Sequence, residues 1–245
     1  MAKGHVLVLP MPCQGHVIPF MELSHRLADE GFEVTFVNTE VDHALVVAAL
    51  PPGGAAELRQ RRIHLAAIPD GLAGDEDRKD LNKLIDAYSR HMPGHLERLI
   101  GEIEAASGGG RPKVRWLVGD VNMGWSFAVA RRLGIRVVSF WAASTACLAF
   151  MLKIPKLIED GFLDRSYITA VWRTGLAVAA GEDGVVTRDE VRSKVEQVIC
   201  DGEIRERARL LRDTARACVS EGGSSHKNFR KFIDLLTQHL AVSKP

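Results

Sequence analysis

Short β-branched apolar runs alternate with stretches of helical spacing through the first two-thirds of this chain. The run His5–Leu9 reads as a buried strand, and Pro10 and Pro12 stop it. From about Val17 the apolar residues Ile18, Met21, Leu23 and Leu27 fall near helical spacing, and Gly31 closes that helix. Glu33–Asn38 predicts a second strand, Asp42–Leu50 a helix and Pro51–Gly54 a loop. Ile63–Ile68 predicts a third strand, stopped by Pro69, Asp70 and Gly71. A polar, acidic loop follows to about Asp80, then helices on either side of Met92-Pro93-Gly94. Ser107–Pro112 reads as a flexible linker before a strand at Arg115–Gly119. Trp125–Leu133 predicts a helix, Arg136–Trp141 a strand and Ser144–Leu157 mostly helix. Repeated β-α-β units of this length imply an α/β fold: a parallel sheet, covered on both faces, with right-handed crossovers. Any ligand crevice then lies at the carboxyl ends of the strands.

The last third follows another pattern. Val171–Val178 suits one short strand, and everything after Thr187 is helical. Val191, Val195, Val198 and Ile199 make one apolar stripe, and Ile204, Ala208, Leu211 and Ala215 a second. Phe229, Phe232, Ile233, Leu236 and Leu240 make a third, separated from the second by the helix stop and restart at Glu221–Ser225. Three amphipathic helices with one strand are not a self-sufficient α/β domain, so part of such a domain is expected to be missing.

Composition narrows the function. The 245 residues are 46% apolar and 26% charged with a formal net charge of +1, which gives no basic face for nucleic acid. Cys13, Cys147, Cys200 and Cys218 are scattered without a C-x-x-C pair, as expected of thiols in a reducing compartment. The first apolar run is too short for a signal peptide, and no stretch reaches the length of a membrane span. A soluble, cytoplasmic protein is the expectation.

The chemistry concentrates where the first strand gives way to the first helix. His16 falls at that helix start, where free backbone N–H groups and the positive end of the helix dipole converge. That field works against a second proton on the ring, so a neutral imidazole able to act as a general base is expected. The plainer reading is a polar loop residue without chemistry. Asp120 ends the strand Trp116–Asp120 at the same sheet edge and could hold the second ring nitrogen of His16. Its plainer role is to cap the helix that follows.

Other motifs point away from several enzyme classes. The first loop has a single glycine, Gly15, so it is no dinucleotide fingerprint, and Gly108–Gly110 precedes a strand rather than a helix. No G-x-S-x-G elbow occurs. His91 and His95 are spaced for a metal on a helix, but Pro93 and Gly94 between them are expected to break it. The arginines of Arg205–Arg216 interleave with Glu203, Glu206 and Asp213, which makes a solvated, ion-paired helix face.

At the level of motifs the chain resembles the plant secondary-metabolite UDP-glycosyltransferases, inverting enzymes of the two-domain GT-B fold. The front carries P-x-P-x-Q-G-H-x-x-P from Pro10 to Pro19, then L-x-x-x-G-F-x-V-T-F-V-N-T at Leu27–Thr39. The likeness continues at Leu117–Asp120 and at Gly134–Trp141. Toward the end, Val171–Leu176 resembles the family's V-W-x-x-G-L segment, and Gly184–Glu190 and Glu221–Phe229 resemble its closing helices. The resemblance implies that His16 and Asp120 are the catalytic pair, with His16 deprotonating an acceptor hydroxyl and Asp120 stabilising the charge. It implies no metal and no cofactor beyond a UDP-sugar co-substrate, commonly of glucose. The acceptor would be a small lipophilic molecule such as a phenolic, a terpenoid or a hormone. Gln14 and Gly15 in the front motif, with Ser144 and Thr145, are the implied substrate-binding residues. Ala142 departs from the pattern, since the family often carries a hydroxyl residue just after the equivalent of Trp141.

A larger departure concerns the donor. The family's signature box opens with W-x-P-Q, runs through H-C-G-W-N-S and ends in an acidic residue plus glutamine, and none of it occurs here. The four tryptophans, Trp116, Trp125, Trp141 and Trp172, open no such box. A junction is expected near Leu163–Ser166. Residues 1–163 would be an acceptor-binding, Rossmann-like domain, the N-terminal half of a GT-B fold. Residues 164–245 would be a truncated, mainly helical remnant of the donor domain, as in a truncated isoform. UDP-sugar binding should then be weak or absent and transfer very slow. The competing expectations are a non-catalytic acceptor-binding or interaction protein, and a non-functional splice or gene-model product.

Overall fold

Five strands form one parallel sheet: β1 (His5–Leu9), β2 (Glu33–Thr39), β3 (Ile63–Ile68), β4 (Val114–Asp120) and β5 (Arg136–Phe140). Their order is β3-β2-β1-β4-β5. The computed structural model describes residues 2–72, 78, 80–106, 112–143 and 167–238. The expected helix at Ser144–Leu157 and the junction near Leu163–Ser166 lie outside those residues, as do Ser144, Thr145 and nearly all of the two loops expected before Asp80 and before Pro112.

β1 is central, with Val8 level with Phe36 on one side and Val118 on the other. Both faces of a parallel sheet are covered, so all five of its residues are buried, and the strand reads as a continuous apolar run. On one face Leu7, Leu9, Val37 and Leu117 pack with Tyr88, Met92, Leu96, Ile100 and Ile103. These last five lie on one stripe of α4 (Leu81–Ala105). α1 (Gln14–Asp29) buries Phe20, Leu23 and Leu27, and Phe20 meets Phe140 of β5 edge-on with ring centroids 4.8 Å apart. Val137 packs with the α4 side, and side chains alternate along a strand, so Phe140 and α1 belong to the opposite face.

Several local expectations are corrected. Pro93 lies inside α4, which runs unbroken through Met92–Gly94 because its apolar stripe is buried along most of its length. Pro51–Gly54 leads into an unanticipated helix, α3 (Gly54–Gln60), started by Gly53 at φ +80°. α2 (Glu40–Ala49) begins earlier than its apolar pattern, because the Thr39 side chain caps it by accepting from the Asp42 N–H. Among the described residues no strand follows β5. Tyr167–Val171 is a single wide helical turn, and Arg173 at φ +54° interrupts any extended run through Val171–Val178.

The chain divides into a unit of Met1–Ser144 with Ile233–Pro245, and a second of Thr145–Phe232. Among the described residues, three helices follow the sheet and α5 (Trp125–Arg132): α6 (Arg188–Cys200), α7 (Gly202–Val219) and α8 (Ser224–Gln238). Thr187 caps α6 and Asp201 caps α7. α6 buries none of its residues and α7 buries only Ile204. Ile233 and Leu236, late in α8, are buried members of the first unit. No helix among the described residues is long and apolar enough to cross a membrane.

Candidate active site at the switch point of the sheet

Strand order creates the site. The chain builds outward from β1 through β2 to β3, then returns to place β4 on the other side of β1. At such a switch point the loops leaving β1 and β4 diverge and open a crevice at the carboxyl edge. Leu9 is level with Gly119, so Pro10 and Asp120 leave the sheet side by side.

The sequence from Pro10 to Gln14 carries the chain from β1 into α1, with the Cys13 carbonyl accepting from the backbone N–H of His16 at 2.8 Å and of Val17 at 2.9 Å. His16 is therefore the third residue of α1, in its first turn. Its Nδ1 lies 2.7 Å from Asp120 Oδ2. A carboxylate only accepts, so Nδ1–H donates and the lone pair is left on Nε2. The imidazole is 26% exposed whereas the carboxylate is fully buried, so the ring can meet a ligand and its partner cannot.

Asp120 has four hydrogen-bond contacts. Oδ2 takes His16 and, at 3.3 Å, the backbone N–H of Met11. Oδ1 takes the backbone N–H and the side-chain Nδ2 of Asn122, each at 3.0 Å. The two roles weighed from sequence therefore coexist: one oxygen caps the short turn Val121–Met123, and the other faces His16. Gln14 and Gly15 lie exposed in the first turn of α1, and a Cβ on Gly15 would meet nothing within 4 Å.

Further polar groups line this edge that sequence reading did not single out. After β2, the Thr39 hydroxyl donates to Asp42 Oδ2 at 2.6 Å. After β3, Arg78 forks onto Asp70, Nε to Oδ2 and Nη2 to Oδ1, both at 3.0 Å. The turn at Pro69-Asp70-Gly71 was the one available signal for this pair. Burial pushes the Tyr88 phenol well above its usual range, and the Asp42 and Asp70 carboxylates add to the shift while Arg78 opposes it. Burial, then Asp120 and Asp42, also raise the Cys13 thiol, so Cys13 is held as a thiol rather than a nucleophile. His91 and His95 share the unbroken α4, yet they line separate pockets, and no group of metal-binding side chains occurs among the described residues.

No family model matches the sequence. Curated plant proteins do. UDP-glycosyltransferase 83A1 of Arabidopsis thaliana is 35% identical over 175 residues, covering 71% of this chain and 38% of the relative. UDP-glycosyltransferase 85A2 of the same plant is 32% identical over 172 residues, covering 68% of this chain and 35% of the relative. The chain belongs to the plant UDP-glycosyltransferases. It spans less than two-fifths of the length of these relatives. The (R)-mandelonitrile beta-glucosyltransferase of Prunus dulcis is 30% identical over 161 residues, covering 65% of this chain and 32% of the relative. Among solved structures, that of Os79 T291V from O. sativa in complex with UDP aligns with a TM-score of 0.49 and 26% identity, over 83% of this chain and 44% of that one.

Proposed function

We propose that the first unit is the acceptor-activating half of a UDP-glycosyltransferase. In this reading His16 is the base, Asp120 its charge partner, and the substrate a hydroxyl on a small lipophilic molecule. The observation that carries it is the 2.7 Å contact between His16 Nδ1 and the buried Asp120 carboxylate, at the sheet edge where ligands bind. The acceptor O–H gives its proton to Nε2 of His16. The imidazolium keeps its Nδ1–H on Asp120, which offsets the new positive charge. The freed oxygen pair attacks the anomeric carbon of a UDP-sugar, commonly UDP-glucose, and the bond to the phosphate oxygen breaks. UDP leaves with that electron pair and the configuration inverts.

Turnover in this chain is proposed to be very low, because the family's donor box is absent from the sequence. Positioning of two reactants is worth about 7–11 kcal/mol of a barrier, and half of that apparatus belongs to the donor side. UDP-sugar binding is proposed to be weak or absent for the same reason. A second reading, a non-catalytic protein that binds acceptors, is favoured by the same missing box beside an ordered His16–Asp120 pair. The scattered cysteines, none of them paired among the described residues, suit a cytoplasmic setting for either reading.

The test is glucoside formation by the purified chain from UDP-glucose and a panel of flavonoids, simple phenols and terpenoid alcohols, followed by mass spectrometry. The proposal expects none above the uncatalysed background. Substantial product that disappears in His16→Ala would overturn the low-turnover part and leave His16 as the base. Substantial product that persists in His16→Ala would overturn the base assignment.

A further inference from the structure

A base is only as well aimed as the group that holds it, and here the holding group is itself held. A buried carboxylate with free rotation about its last bond could present either oxygen to His16, or turn both away. Asp120 is fully buried, so water cannot fix its orientation. Its Oδ1 is fixed by the Asn122 backbone N–H and by the Asn122 side-chain amide, both at 3.0 Å. The backbone contact follows from the turn Val121–Met123 and would form with nearly any residue at position 122. The side-chain contact would not. It needs a short side chain ending in a hydrogen-bond donor, which asparagine supplies and the aspartate anion, of the same shape, does not.

We infer that Asn122 is a positioning residue for the His16–Asp120 pair: its side-chain amide locks Oδ1 of Asp120 and so keeps Oδ2 facing the imidazole. Rotating the carboxylate by half a turn would exchange the two oxygens and break all four contacts before any could re-form. Removing the Asn122 amide leaves Oδ1 with one donor and opens a path for the carboxylate to tilt away from His16. The ring would then lose its fixed tautomer, with the proton shared between Nδ1 and Nε2. In the Nε2–H tautomer the nitrogen that faces the acceptor carries a proton and cannot take one. The role rests on the reading of His16 as the base, but the ordering of the ring can be observed without any turnover.

The experiment is nitrogen-15 NMR of the histidine side chains in the full chain, wild type against Asn122→Ala, Asn122→Asp and Asn122→Ser, with His16→Ala to assign the resonance. The wild type should show His16 as a single Nδ1–H tautomer with a slowly exchanging, hydrogen-bonded proton. Asn122→Ala should give averaged ring shifts and at least tenfold faster exchange of that proton. Asn122→Asp should give a larger loss, because an acceptor replaces the donor beside Oδ1. Asn122→Ser, which keeps a short donor, should recover much of the wild-type signature. Amide spectra check that each variant is folded, and if Asn122→Asp is not, the alanine and serine variants decide between them. Unchanged His16 tautomer and proton exchange in folded Asn122→Ala would overturn the inference. So would failure of the serine variant to differ from alanine. If glucosides form after all, kcat should fall about tenfold in Asn122→Ala with the acceptor KM unchanged. Product that survives His16→Ala would remove the catalytic reading while the NMR result still decides the positioning one.

Discussion

The first unit and the helices of the second carry the same kind of apolar periodicity but differ in what it meets. In α4 the stripe Tyr88, Met92, Leu96, Ile100 and Ile103 is buried against the sheet. In α6 the stripe Val191, Val195 and Ile199 stays 45%, 51% and 59% exposed. The sequences are equally helical, and Thr187 caps α6 as well as Thr39 caps α2. A periodic stripe therefore records which face a helix is made to bury, and a covering surface has to exist for burial to follow. The candidate pair His16 and Asp120 is held by half-buried Met11 and exposed Asn122, in the segments that leave β1 and β4, with the Asp120 carboxylate itself fully buried.

The sharpest way to break this comparison is a matched pair of truncations. Leu7→Ala removes a fully buried side chain of the central strand and should cost about 2–5 kcal/mol by denaturant unfolding followed through the sheet. Val195→Ala, on the exposed stripe, should change that unfolding by less than about 0.5 kcal/mol. Equal costs would mean that α6 is packed as tightly as the sheet. Next in size is Asp120→Ala, which leaves the part-buried donors of Met11, His16 and Asn122 without their acceptor. It should destabilise the first unit by about 1–3 kcal/mol and abolish the single His16 tautomer. The helix caps sharpen the contrast. Thr39→Ala should cost about 1 kcal/mol, since that hydroxyl is buried and also donates to Asp42. Thr187→Ala, on an exposed helix, should lower the helical circular-dichroism signal slightly without moving the unfolding midpoint of the sheet. The smallest effect is chemical: iodoacetamide at pH 8 should modify exposed Cys200 well before Cys13, whose raised pKa leaves less thiolate. Peptide mapping at intervals reads the order, and faster loss of Cys13 would contradict the raised pKa of this half-buried thiol beside Asp120.

Legibility followed the same line. The five strands were readable because each is a short run rich in apolar or β-branched residues, fully buried in the central β1 and half-buried to exposed at the edge strand β5, and their ends fell within a residue or two of the expectation. Pro93 misled because local rules end a helix there, whereas the continuous stripe on either side keeps α4 whole against the sheet. α3 was hidden by Pro51-Pro52-Gly53, which reads as a loop although Gly53 starts a helix. Val171–Val178 resembles a strand in composition, but a strand needs a partner, and Arg173 turns the backbone away from extension. At the site, Asp120 could be found because it ends β4, and His16 because it lies in the first turn of the helix that follows β1 at the same edge. Asn122 and the Arg78–Asp70 pair could not, since their meaning depends on which oxygen of a neighbouring carboxylate they face.

The proposed role of the His16–Asp120 pair, acceptor activation in a sequence that carries no W-x-P-Q or H-C-G-W-N-S motif, is open to direct observation. The most direct measurement is the nitrogen-15 spectrum of His16 during titration with the panel of lipophilic phenols and alcohols, and separately with UDP-glucose. At least one acceptor should shift His16 Nε2 while Nδ1 keeps its hydrogen bond to Asp120, and UDP-glucose should leave both unchanged. A panel that moves neither nitrogen, while UDP-glucose does, would contradict that role.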